Sequence, residues 1–395
     1  MRITRAEWVR LLLLWLGGVD IRLTMLAVPP LVPLIHRQLN LDEAAVGALV
    51  SGPVLILAIA SVPGSLLIAK LGIRGALVAG LGSVALFGAL RGLGSSAASL
   101  LAATFLMGVG VAVSQPAFPA LVREWFPRRI AIATAVYANG ILIGETLPTV
   151  FTTPFGVLPL AHGDWRPALA SWSLFVLVSA VAIAIYAPAR AAGVLAARRW
   201  WPQWRSHQTI RIGIVMGMCS ATYFGANAYI PDFLDQTGRH GLISPALAVL
   251  NASQLLTAPA VAVWPRVLTG RGGFVGSAAL MAVAQAGIVL TPGVGVVAWA
   301  FVLGFSTALA FIVVLSIPPR VAPPGDVASM SAAIFTIQYA TAFVLPLIAG
   351  ALWDASGHAL FAFAPGVLAG IVMAWVAMSL RVPTGQADQG NRPAL

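Results

Sequence analysis

The chain has 395 residues, 59% of them hydrophobic and only 9% charged, with a net charge of +11. Soluble domains carry about 25% charged residues, so a soluble enzyme is excluded, and no hydrophilic stretch is long enough to fold as a separate domain. A single cysteine, Cys219, excludes an intramolecular disulfide and a cysteine-rich metal site.

The first apolar run covers residues 11–35 and follows Arg2, Arg5 and Arg10. It has the outline of a secretory signal. It is too long for one, however, and Arg22, Pro29, Pro30 and Pro33 stand where a cleavage site would be. The run therefore reads as an uncleaved first helix. A membrane span needs about 20 apolar residues, and that rule places further helices over 44–69, 74–94, 98–122, 130–155 and 167–188. A second set follows over 211–233, 244–265, 273–292, 295–317, 327–352 and 358–380. Between the sets, Trp200, Trp201 and Trp204 lie among arginines, the composition of an amphipathic stretch on the inner leaflet. The expectation is an all-α polytopic membrane protein with 12 transmembrane helices. Its parts are a six-helix half over 1–189, a basic cytoplasmic linker over 190–210, a second six-helix half over 211–381 and a flexible tail over 382–395.

Basic residues stay on the cytoplasmic side of membrane proteins. With both termini inside, this layout puts 18 of the 23 basic residues in the cytoplasm, leaves Arg37, Arg91, Arg166 and Arg239 outside, and puts Arg22 within the membrane. A charge gathered in this way orients helices and does not describe a nucleic-acid surface, so no nucleic-acid partner is expected. His36, His162, His207, His240 and His358 fall in or beside expected loops, and none has a partner at helical ligand spacing, so no metal and no cofactor are expected. The two halves also echo one another. Gly108, Gly110, Pro116 and Pro119 in the fourth helix are matched by Gly304, Pro318 and Pro319 in the tenth, the weak internal symmetry of transporters built from repeats.

Three ionisable residues are placed deep in apolar runs: Asp20, Arg22 and Glu145. A charge at the centre of a span costs at least about 2.5–3.5 kcal/mol on insertion scales, so each marks a functional position by default. Arg22 offers a permanently charged, forked set of donors suited to carboxylate-, cyanate- or nitrate-like anions. Its alternative role is a buried ion pair that locks the first helix to a neighbour. Asp20 lies two residues away, about 200° round a helix. It either faces a different neighbour or shares a face with Arg22 because Gly17 and Gly18 loosen the helix. Tyr223 and Asn227, four residues apart, share one face of the seventh helix. With Thr24, Gln115, Gln338 and Tyr339 they complete the polar groups expected at solute depth.

The loop after the second helix, Ser65 to Arg74, resembles the major facilitator superfamily signature Gly-x-x-x-Asp-Arg/Lys-x-Gly-x-Arg/Lys. Lys70, Gly72 and Arg74 match it, while Ser65 and Ala69 replace its glycine and aspartate. Thr104 to Gly110 resembles the superfamily's Arg-x-x-x-Gly-x-Gly motif, and Gly140, Gly144 and Pro148 are similar to its antiporter-type glycine–proline motif. Within the superfamily the chain resembles the cyanate permease and nitroimidazole transporter family. Asp20 to Thr24 running into Pro29 to Ile35 looks like that family's Asn-Leu-Arg-Pro opening, with Asp20 in place of Asn and Leu23 in place of Pro. Trp165 to Ala168, Tyr223 to Pro231, and Gln338 and Tyr339 with Pro346 fit as well.

The resemblance implies a monomeric secondary transporter in the bacterial inner membrane, moving a small anionic or weakly acidic solute by alternating access, with either a proton gradient or substrate exchange as the energy source. It also implies that the fifth helix lies against the first, which makes Glu145 the partner of Arg22. Asp20 and Glu145 are then the proton-coupling or ion-pair groups, and Lys70, Gly72 and Arg74 a cytoplasmic gate. The alternatives are a multidrug exporter of the same fold or an intramembrane enzyme. Against the enzyme, the chain has neither a His-Glu-x-x-His site nor a paired catalytic aspartate on neighbouring helices, and without a nucleotide-binding loop direct ATP drive is not expected.

Overall fold

The computed structural model describes residues 4–41, 43–152, 164–187, 200–323 and 325–379. His162, the linker arginines Arg190, Arg198 and Arg199, and the tail over 382–395 lie outside the described residues. All regular structure among the described residues is helical. In chain order the helices are α1 (Arg5–Leu26), α2 (Val32–Leu39), α3 (Glu43–Leu90), α4 (Ala97–Ser114), α5 (Ala117–Trp125), α6 (Ile130–Phe151), α7 (Trp165–Tyr186) and α8 (His207–Gln236). They continue as α9 (Ile243–Leu255), α10 (Thr257–Val263), α11 (Pro265–Leu268), α12 (Arg271–Leu290), α13 (Gly295–Leu315), α14 (Pro318–Val321), α15 (Val327–Ser356) and α16 (Ala364–Ser379).

Ten helical stretches among the described residues are long and apolar enough to cross a membrane. One of them, Gly52–Leu93, runs for 42 residues, twice a bilayer's requirement. It is divided at Gly72, whose backbone sits at φ 74° and ψ 170°. That region is open essentially to glycine alone, and it falls at the loop expected between the second and third helices. Gly72→Ala is expected to cost about 1–3 kcal/mol, read as a lower melting temperature in detergent.

Prolines divide other expected helices. Pro29 and Pro30 open a 3-10 turn over Pro29–Leu31 that separates α1 from α2. Pro116 separates α4 from α5, and Pro265 starts α11. Each lacks the N–H that an uninterrupted helix needs.

The chain forms two compact units. The first comprises Met1–Trp125, Val136–Gln203 and Ala322–Thr336, and the second Phe126–Ala135, Trp204–Val321 and Ile337–Leu395. Both α6 and α15 therefore contribute one end to each unit. In the first unit, Val28, Leu31, Ile35, Leu49, Leu100 and Trp165 build one apolar cluster. Trp165 donates from Nε1 to Gln38 Oε1 at 2.9 Å, which satisfies the one polar atom of that large ring. In the second unit Val215, Phe274, Met281, Leu303 and Met373 are buried.

The outward faces are also apolar. Leu86, Leu174, Val178 and Ile185 are exposed in the first unit, and Val283, Leu290, Leu368 and Trp375 in the second. In water such faces would be liabilities. Against acyl chains they are the matching surface, while the helices satisfy their own backbone polar groups.

Candidate functional site

The site in the first unit starts from a close helix crossing. A Cβ on Gly18 would overlap the Tyr137 carbonyl, one on Gly140 the Trp15 carbonyl, and one on Gly144 the Val19 carbonyl. Small residues let membrane helices approach backbone to backbone, and here they bring α6 onto α1. The crossing is pinned by Trp15 Nε1, which donates to Asn139 Oδ1 at 3.0 Å. It is packed by Phe118 stacked on Tyr137 with ring centres 4.9 Å apart.

One turn further along, the crossing places Arg22 Nε 3.2 Å from Glu145 Oε1, with side chains 6% and 15% exposed. The structure thus brings together the arginine and the carboxylate that the resemblance pairs. Breaking a buried pair by removing one member is costly because the other charge is left uncompensated. An incoming anion can take the carboxylate's place on the guanidinium, and the cost then falls on the displaced carboxylate unless it is neutralised.

Asp20 and Thr24 occupy another face of α1. The helix is uninterrupted through Gly17 and Gly18, so these glycines serve packing and do not loosen it. Asp20 is fully buried. The Ser179 hydroxyl of α7 lies beside it. Thr24 sits one turn on, facing Gly88 of α3 and α7's Ser173. Its carbonyl accepts from Arg91 Nη2 at 2.8 Å.

Arg91, expected on the outer side of the membrane, is fully buried within the first unit. It was hidden in the sequence because it ends an apolar run, where a loop charge looks the same.

The signature loop sits at the other end of the first unit. Lys70 is exposed, Gly72 makes the break in α3, and Arg74 donates to the Ala184 carbonyl of α7. Ser65, at the signature's glycine position, donates to the Trp200 carbonyl, and Arg123 donates to the Ala322 carbonyl. Gln115 is buried at the junction of α4 and α5.

In the second unit the residues chosen from the sequence enter two networks. Tyr223 donates from its hydroxyl to Asn251 Oδ1 at 2.6 Å, and Asn251 Nδ2 donates to Asn227 Oδ1 at 3.1 Å. Gln254 Nε2 also reaches Asn251 Oδ1, at 3.4 Å. Asn251 is therefore the hub, and neither it nor Gln254 was singled out from the sequence. Their spacing of three residues within an otherwise apolar run was the available signal. In the other network, buried Gln338 donates from Nε2 to Ser220 Oγ at 2.8 Å, and the neighbouring Tyr339 is fully buried. No cluster able to hold a metal occurs among the described residues.

Comparison with known proteins agrees with this architecture. The chain is 24% identical to the 2-nitroimidazole transporter of Escherichia coli (strain K12) over 366 residues, covering 86% of this chain and 87% of that protein. It is also 24% identical to the cyanate transport protein CynX of Escherichia coli (strain K12) over 372 residues, covering 90% and 92%. Among solved structures, the proton:xylose symporter XylE bound to 6-bromo-6-deoxy-D-glucose superposes with a TM-score of 0.76 at 15% identity, over 95% of this chain and 96% of that one. Residues 14–346 match the sequence model of the Major Facilitator Superfamily, and with that match running over most of its length the chain belongs to that superfamily.

Proposed function

We propose that this chain is a secondary active transporter that moves a small anionic or weakly acidic polar solute across a bacterial cell membrane by alternating access. Arg22 anchors the solute and Glu145 exchanges a proton with it. The observation that carries this reading is the buried Arg22–Glu145 pair on the α1–α6 crossing. A forked guanidinium binds a planar anion through two parallel hydrogen bonds. When the anion takes the guanidinium, Glu145 is left in a poorly solvated surround, where a proton is the remaining counter-charge.

Solute binding and protonation are then one event. Asp20 is a second proton-carrying candidate on the far face of α1. Thr24 and Gln115 in the first unit, and Tyr223, Asn227, Gln338 and Tyr339 in the second, supply neutral polar contacts. Two relatives have names that fit a small solute, a cyanate transport protein and a 2-nitroimidazole transporter, and cyanate is an anion.

The test uses proteoliposomes holding the full chain, with labelled cyanate as the first probe and small carboxylates after it. An inward proton gradient is expected to speed wild-type uptake. Glu145→Gln, which keeps the shape of the side chain and removes its charge, is expected to exchange anion for anion with no response to the gradient. A Glu145→Gln protein that responds to the gradient as wild type does would end the coupling role of this residue.

A further inference from the structure

A polar cavity lies in the second unit where α8, α12, α15 and α16 meet, and it contains none of the residues assigned to the solute. It lies between Thr222, Gly225, Gln285, Pro346, Phe363 and Gly366, and its empty space is about 250 Å³ with the open solvent at its mouth included. Thr222 and Gln285 are 1% and 2% exposed. Thr222 Oγ1 and Gln285 Oε1 have no hydrogen-bond partner among the described residues. The other side chains on the wall are apolar.

The amide is held in place from two sides. Gln285 Nε2 donates to the Thr222 carbonyl at 3.4 Å, and Gly366 leaves room for that same nitrogen, which a Cβ there would strike.

An orphaned hydroxyl and an orphaned amide oxygen facing one space in a membrane protein carry their full desolvation cost unless something bridges them. The bridging molecule has to donate to the amide oxygen and bond to the hydroxyl. It also has to be small and uncharged, because no charged side chain lines the wall. Water meets these conditions, since buried waters occupy sites where two to four polar groups converge.

We propose that Thr222 and Gln285 hold a buried water that ties α8 to α12. The site sits beside a proline within α15. Pro346 interrupts the hydrogen-bond ladder of α15, and a Cβ at Gly225 would meet nothing within 4 Å. The water therefore takes the place of packing at a point where side chains do not fill the space.

Thr222→Val tests this, because it removes only the hydroxyl and keeps the shape. If the water is present, Thr222→Val and Gln285→Leu each lower the melting temperature by about 2–4 °C. The double variant then loses less than the sum, because both changes remove the same water. In a dry cavity the valine removes an unsatisfied group, so an unchanged or raised melting temperature for Thr222→Val overturns the proposal. Strict additivity of the two changes overturns it as well. A density map that resolves waters is expected to show a compact peak within hydrogen-bond distance of both atoms. No peak, or an elongated feature from lipid or detergent, contradicts it. None of these outcomes bears on Arg22, so the solute site stands or falls separately.

Discussion

Uptake of a small anion into proteoliposomes is expected to fall to the level of empty vesicles when Arg22 is replaced by glutamine. Glutamine keeps a polar side chain but gives up the permanent charge and the forked donors that hold a planar anion. It also strands Glu145, 15% exposed, without the cation 3.2 Å away. Removing one member of a buried pair costs about 3–5 kcal/mol. That cost falls on folding; on uptake, the lost charge contact to the solute costs about 2–5 kcal/mol, more than one order of magnitude at about 1.4 kcal/mol per factor of ten.

A lower melting temperature of the single variant would not by itself separate a binding role from a structural one. The double variant Arg22→Gln with Glu145→Gln does. Removing both charges is often close to neutral for stability, so the double variant should melt near wild type and still fail to transport. If it transports, Arg22 serves only to hold the helices.

Gly144→Val is the second large effect expected. A Cβ at this position overlaps the Val19 carbonyl, and backbone cannot rotate out of the way as a flexible side chain can. Overpacking of this kind costs about 1–3 kcal/mol, occasionally more, and valine adds two methyl groups beyond the first carbon. The variant should express poorly or melt well below wild type in detergent. What folds should transport weakly, because pushing α6 off α1 parts Glu145 from Arg22. Wild-type melting and uptake in Gly144→Val would mean that the crossing is not set by this glycine.

These glycines show what could be read in the sequence. Gly140 and Gly144 match the superfamily's antiporter-type motif, and in the structure they are the surfaces on which α1 and α6 touch. Apolar length located the helices, and the glycine in the signature loop located the break at Gly72, because both follow from local chemistry. Asp20 and Arg22 are two residues apart, and helical geometry alone sends them to different neighbours, α7 and α6.

The burial of Arg91 could not be read, because an arginine at the end of a span looks the same whether it turns outward or back toward a carbonyl such as that of Thr24. The Asn251 hub was missed for a related reason. Its importance comes from three partners on two helices, and only folding brings α8 and α9 together. The subdivision of long runs at Pro29, Pro116 and Pro265 was visible as residue type, but proline both kinks and ends helices, so the outcome depended on packing.

Arg22 is proposed to hold the solute's negative charge. Ligand-induced thermal stabilisation of the purified full chain tests it most directly, using cyanate, nitrate and small carboxylates against wild type, Arg22→Gln and the double variant. At least one anion is expected to raise the wild-type melting temperature in a saturable way and to leave that of both variants unchanged. The same anion stabilising Arg22→Gln as strongly as wild type would contradict it.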